Sequence, residues 1–315
     1  MKIQTGVFSH FPSIILLSFS LLFSVKCMGG QPSVPVFRIN EDANIPIFRI
    51  AFTSDLIAGV DQEDAKLALN LMIERLAANH LVDYRTEAII FPDVESAVQE
   101  FKNGNINLIS LSTINYLKYR KQIEMMPAFV ASSDSMPEHD FVFLVKRSQN
   151  IKSLINLKDK MVIVEKGYIG NTALVWLDTI LFEGALEKSA SFFNKIKRVD
   201  KSSQAILPVF FGQADACVVL RSSFDTMVEL NPQVDKILLV FLKSPPLLLS
   251  ISCFTKGVDE KLKTDVVEWD YSSATDLPAK QFSLMFHFEQ IITYKPEYLH
   301  NIESLYNRHQ SAQKK

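Results

Sequence analysis

Residues 101–112 read FKNGNINLISLS and residues 211–222 read FGQADACVVLRS. In both stretches an apolar helix pattern runs into a glycine, Gly104 or Gly212. Three residues later comes a short polar side chain, Asn107 or Asp215, and a hydrophobic strand follows at once. A glycine just past a periodic apolar run is a helix stop, because it takes the left-handed backbone that other residues resist. The same helix–turn–strand unit therefore recurs 108 positions on. It predicts two similar α/β lobes in one chain.

The segments around the two units keep that rhythm. IFRIAF (47–52) and TEAIIF (86–91) read as strands, with an amphipathic helix over Ala65–Ala78 between them. Asp93 is a predicted N-cap for the helix that ends at Gly104. INLISLS (106–112) is a strand, and TINYLKYRKQI a short helix. Further on, FVFLVKR (141–147), a turn at Asp159, MVIV, KIKRV (195–199), the helix SSQAILPVFF, ADACVVL (214–220) and LLLSISCF (247–254) continue the alternation. The tail from Pro278 to His309 reads as helical. Strands and helices alternating over this length give an α/β fold of two mixed, mostly parallel sheets with helices on both faces.

The two ends of the composition narrow the function. A formal charge of −2 over 315 residues gives no basic footprint for nucleic acid. After Met1 and Lys2, the uncharged run IILLSFSLLFSV (Ile14 to Val25) precedes CMGG, the order of a secretory signal peptide over 1–30. That run is short of the ~20 residues a spanning helix needs; an uncleaved anchor is the alternative. Cys27 stands where a lipoprotein carries its lipidated cysteine, but Lys26 occupies a position that wants a small residue. Residues 31–46, with Pro32, Pro35 and Pro46, read as a linker. CxxC, HExxH, GxSxG and GxxxxGK[ST] are all absent, so no zinc, nucleophile-elbow or P-loop chemistry and no cofactor is expected.

One segment does carry chemistry. EKGYIGNTALVWLDTIL (165–181) follows the strand MVIV and puts a turn-rich GYIGNT ahead of an apolar helix. Helix N-termini offer N–H groups that lack intrahelical partners and favour anions. Either the segment cradles an anion, or Asn171 or Thr172 is a plain cap. Ser110, Ser112 and Thr113 stand at the carboxyl end of a strand, where open α/β sheets collect ligands, as do Ser54 and Asp55; capping is the alternative for the serines and Thr113.

The ordered segments VQEFKNGNINLISL, EHDFVFLVKRSQNIKSLINLKDKMVIVEKG, GQADACVV and KSPPLLLSISCFTKGVDEKLKTDVV resemble the phosphate/phosphite/phosphonate (PhnD-like) periplasmic solute-binding proteins of ABC transporters. The resemblance spans most of 47–270. It implies the type II periplasmic-binding-protein fold, with ligand held in a cleft between two lobes. The crossings fall near FVFLV and LLLSIS, giving lobe one as 47–144 and 246–315 and lobe two as 145–245. It also implies a periplasmic, non-catalytic, monomeric protein whose partners are a small, polar or anionic ligand and an ABC permease. A sensor of the same fold reporting to a membrane kinase or cyclase is the alternative.

Where relatives carry Ser-Thr-Ser-Gly, this chain has Tyr168, Ile169, Gly170 and Asn171, then Thr172. Backbone N–H groups survive that change; the small hydroxyls do not. Tyr168 lines the cleft or packs over the sheet. Tyr116 matches a family aromatic. Asp215 matches a family aspartate that meets a ligand amine or stabilises a turn. His139 stands by a crossing and is an anion-binding candidate. Arg221, just past a strand, either serves an anion or is a solvated charge.

Overall fold

A computed structural model describes residues 47–80, 84–132, 136–268 and 288–313, together with Lys280 and Ser283. The signal-peptide and linker readings and Cys27 lie outside the described residues. Strands β1 (Ile47–Thr53), β2 (Arg85–Phe91), β3 (Leu108–Ser112) and β4 (Met126–Ser132) share one sheet with two strands from the end of the chain. A second sheet is made of β6 (Phe141–Lys146), β7 (Met161–Glu165), β8 (Lys195–Val199), β9 (Ala216–Leu220) and β10 (Leu238–Lys243). Between them the two-residue strand β5 (Glu138–His139) pairs antiparallel with β11 (Leu247–Leu248). The late strands of the first sheet are β12 (Ser250–Phe254) and β13 (Gln290–Thr293).

The first sheet runs β13-β4-β12-β3-β1-β2 and the second β10-β6-β9-β7-β8. In the first, β1, β2, β3 and β4 point one way and β12 and β13 the other. In the second, only β6 is reversed. Both sheets are mixed, and among the described residues four of their pairings are parallel and five antiparallel. The sheets are less parallel than the sequence suggests because the returning strands β6, β12 and β13 each pair antiparallel. The reversed strands β6 and β12 are the first to follow the two crossings.

Among the described residues the helices with given bounds are α1 (Gln62–His80), α2 (Val94–Lys102), α3 (Thr113–Tyr119), α4 (Gly167–Glu183), α5 (Ser189–Phe192), α6 (Ser202–Phe211), α7 (Arg221–Leu230), α8 (Gln233–Ile237), α9 (Glu260–Glu268) and α10 (His300–Gln313). Every residue from Phe141 to Val145 is wholly buried, as a strand covered on both faces requires; hence its unbroken apolar run. Trp176 of α4 stacks on Phe141 at 6.3 Å. Among the described residues no helix is long and apolar enough to cross a membrane.

The recurring unit has a physical cause. Gly104 and Gly212 take φ of 78° and 76°, the left-handed helix stop. Asn107 Oδ1 accepts the Arg49 N–H at 2.8 Å, and Asp215 Oδ2 accepts the Met161 N–H at 2.9 Å. The backbones answer: Asn107 N–H donates to the Arg49 carbonyl at 3.0 Å and Asp215 N–H to the Met161 carbonyl at 3.2 Å. Each polar side chain thus brackets a lobe's third parallel strand onto its first, and the ladder begins one residue further on, at Ile50↔Leu108 and Val162↔Ala216.

Several expectations change. All of β6 pairs within the second sheet, so the change of lobe comes before Phe141, at β5, and not at 144/145. GYIGNT is not a loop: α4 already starts at Gly167. Arg221 opens helix α7 instead of trailing off a strand. The tail is helical from His300 but holds a strand, β13, and its 278–279, 281–282 and 284–287 stretches lie outside the described residues. Cys217 and Cys253 are buried and unbonded, one in each sheet.

The brackets are testable. Asn107→Ala and Asp215→Ala each strand a backbone N–H at the start of a parallel ladder, so each is expected to cost about 1–3 kcal/mol of stability by urea denaturation. A solvated turn residue would cost well under that.

Candidate functional site

The carboxyl end of β7 delivers the chain into α4 through a single residue, Lys166. Lys166 N–H donates to the Val199 carbonyl at 2.8 Å, continuing the pairing with β8, and Gly167 then turns at φ 66°. The first turn of α4 folds tightly back on the strand: a Cβ at Gly170 would stand 1.7 Å from the Glu165 carbonyl oxygen. No side chain fits there, which is why this position in GYIGNT is glycine. The outcome is a helix whose N-terminus is aimed at lobe one.

Lobe one meets it with the loop after β1. Tyr168 N–H donates to the Asp55 carbonyl at 3.0 Å. Ser54 ties that loop to the end of β2, its N–H on the Phe91 carbonyl at 2.9 Å and its Oγ on the Pro92 carbonyl at 2.7 Å. The Asp55 carboxylate accepts the Thr53 hydroxyl and, at 3.4 Å, the Asn115 amide. Burial pushes the Asp55 acid above its ordinary value in spite of those bonds.

A second carboxyl, Glu165, ends β7 and lies within electrostatic reach of Tyr168. It is half-buried, accepts Ser202 Oγ at 2.8 Å, and Ser202 Oγ also lies 2.9 Å from Ser223 Oγ. Burial pushes this acid up as well. Tyr168 feels both: burial, then Glu165, then Asp55 raise its phenol to about 12. Asp55, Glu165 and Tyr168 therefore form one electrostatic cluster where the loops after β1 and β7 meet. Nearby cations are committed, Lys166 to Asp200 at 2.9 Å and Arg198 to the Asn171 amide oxygen at 2.8 Å.

The predicted residues divide accordingly. Ser54, Asp55, Tyr168 and Gly170 come together. Asn171 sits on the exposed side of α4 under Arg198, and Thr172 is buried inside the helix with its hydroxyl on the Tyr168 carbonyl at 2.9 Å; neither caps the helix. Ser112 caps α3, accepting the Asn115 N–H at 3.3 Å, and Ser110 Oγ lies 2.8 Å from Ser252 Oγ. The Thr113 hydroxyl is buried without a partner. Tyr116 is a core residue: it lies beneath Arg120 at 5.9 Å, and Arg120 pairs with Glu303 of α10. Asp215 belongs to the strand bracket at the opposite end of β7. Arg221 holds Asp225 at 2.8 Å and fixes the crossing by donating its N–H to the Asp140 carbonyl at 2.8 Å. His139 is half-buried in β5, and burial pulls its imidazole down.

Glu165, Asn115 and Ser202 escaped the sequence reading. The one signal was positional: Glu165 is the sole charge in MVIVE and stands two residues before the glycine turn.

Two outcomes follow. Gly170→Ala is expected to cost about 3 kcal/mol or more in urea denaturation, the upper end of overpacking, because the obstructing atom is backbone. Asp55 has a raised pKa in the folded protein, so its contribution to stability is present below the ordinary value of 3.8 and lost as pH rises through the raised one. The melting temperature of Asp55→Asn should therefore gain on wild type between that value and neutrality. A gap independent of pH would refute the assignment.

The model of the family described as ABC-transporter phosphonate periplasmic substrate-binding proteins matches residues 57–269. No curated protein matches the sequence. Among solved structures, a binding-protein component of a phosphonate ABC transporter from Pseudomonas aeruginosa aligns with a TM-score of 0.58 at 12% identity, over 86% of this chain and 88% of that one. PhnD1 from Prochlorococcus marinus, in complex with methylphosphonate, aligns with 0.58 at 18%, over 84% and 98%. XAC2383 from Xanthomonas citri, bound to chloride ion, gives 0.59 at 13%, over 85% and 99%. At such identities these likenesses bear on the fold, that of the type II periplasmic binding proteins. With more than half of its length matched by the family model, and with two lobes whose loops converge on a helix N-terminus, the chain belongs to the ABC-transporter phosphonate periplasmic substrate-binding proteins.

Proposed function

We propose that this chain captures a small polar or anionic solute, of the phosphonate or phosphate type, at the junction of its lobes and delivers it to an ABC permease without altering it chemically. The observation that carries the reading is the N-terminus of α4, a 17-residue helix starting at the carboxyl end of β7 and aimed at lobe one. Its first-turn N–H groups and dipole suit an oxyanion. A ligand touching both lobes would stabilise the closed form through its differential contacts. Asp55 and Glu165 temper this: ionised, they repel a bare dianion, so the favoured solute carries few negative charges or a hydrogen-bond donor beside its oxyanion. We place the protein outside the cytoplasmic membrane, exported by the leader in 1–30 and working as a monomer.

A thermal-shift screen with phosphate, phosphite, methylphosphonate and aminoalkylphosphonates tests the reading. A ligand at a hundred times its Kd should stabilise the fold by about 2.7 kcal/mol, a shift of several degrees. An unmoved melting temperature across the whole series would sink the oxyanion assignment.

A further inference from the structure

We propose that residues 54–60 form a built-in latch that closes the lobes on each other and competes with ligand for the first turn of α4. The proposal rests on the reading of that turn as the ligand-binding end.

Three approaches across the junction carry it. The Asp55 carbonyl oxygen holds the Tyr168 N–H at 3.0 Å. At Gly167, a Cβ would stand 2.5 Å from that same carbonyl oxygen and 2.5 Å from the Ala58 Cβ. At Gly59, a Cβ would stand 2.8 Å from the Asp200 carbonyl oxygen. The contact is backbone against backbone, and a side chain at Gly59 or Gly167 would force the surfaces apart.

Both surfaces are braced before they meet. On lobe one, Ser54 is tied to the Phe91 and Pro92 carbonyls, Leu56 N–H donates to the Thr53 carbonyl at 3.0 Å, and the Asp55 side chain is held by Thr53 and Asn115. On lobe two, Lys166 N–H is held by the Val199 carbonyl, and the Lys166 ammonium pairs with Asp200. The latch therefore joins two fixed edges.

Its chemistry is direct competition. A helix N–H donates one good hydrogen bond, so a ligand oxygen and the Asp55 carbonyl cannot both have the Tyr168 N–H. The latched form binds no oxyanion there, and the unlatched fraction scales the apparent affinity.

Gly59→Ala tests this, because the added Cβ meets the Asp200 carbonyl oxygen and drives the surfaces apart. Gly257→Ala is the control: its φ of 88° imposes a similar backbone strain, with nothing within 4 Å of the added Cβ. In the unsubstituted protein and in the control, the Tyr168 amide should be protected from hydrogen exchange; in Gly59→Ala that protection should be lost. The probe is methylphosphonate, whose affinity should rise by about threefold or more in Gly59→Ala, as the open fraction rises, and stay unchanged in the control. A freely exchanging Tyr168 amide in the unsubstituted protein overturns the latch, and so does equal affinity in Gly59→Ala and the unsubstituted protein. Should methylphosphonate and the other oxyanions bind none of the three proteins, the functional reading fails, while Tyr168 exchange still decides the latch.

Discussion

The N–H groups in the first turn of α4 have no partners inside their own helix, and the junction between the lobes is arranged around that deficit. Gly170 lets the turn collapse onto the Glu165 carbonyl; a single methyl there would push the helix off its strand. That collapse aims the N-terminus at the loop after β1. It also leaves Tyr168 within electrostatic reach of two carboxyls, both raised by burial. Electrostatics at the junction follow from a packing requirement at one glycine.

How much of this was legible depended on how local the cause was. Strands β1, β3, β7 and β9 showed because each buries an apolar run, and β2 and β8 by their β-branched and alternating residues. The recurring glycine and short polar residue showed two lobes, and the same recurrence held the key to Asp215. Its counterpart Asn107 is a strand bracket, and so is Asp215, which the resemblance left open between a ligand amine and a turn. GYIGNT misled because glycine and asparagine are common turn residues. Here glycine serves a close approach within a helix, and Asn171 faces outward beneath Arg198. Glu165 was invisible for a different reason. A carboxylate at the end of a strand has no local signature, and its partner Ser202 is 37 residues away. Strands β4 and β10 were missed because their register is set by neighbours distant in sequence, β12 and β13 for one, β6 for the other.

The C-terminal helix α10 ties the lobes at their back. Glu303 pairs with Arg120 of α3, while Arg308 reaches Glu183 at 2.7 Å and His309 lies 3.7 Å from Asp178, both on α4. A helix that follows the last strand of lobe one thus grips the helix whose N-terminus faces the front. Arg120–Glu303 and Arg308–Glu183 are partly exposed, so each is weak; His309 is buried against α4.

Strand β12 lies at the centre of its sheet, between β3 and β4, although its residues come near the end of the chain. On a ribosome, β1 to β4 emerge first and find the middle of their sheet empty until Phe254 has been made. The second sheet is continuous from Phe141 to Lys243 and is complete before then. The order of synthesis is therefore the reverse of the order of completion: the lobe begun first is finished last. A nascent chain carries β3 and β4 as open edges for more than a hundred residues, and an unpaired edge is a template for aggregation. A holding factor or delayed folding is what this topology asks of the cell that makes it.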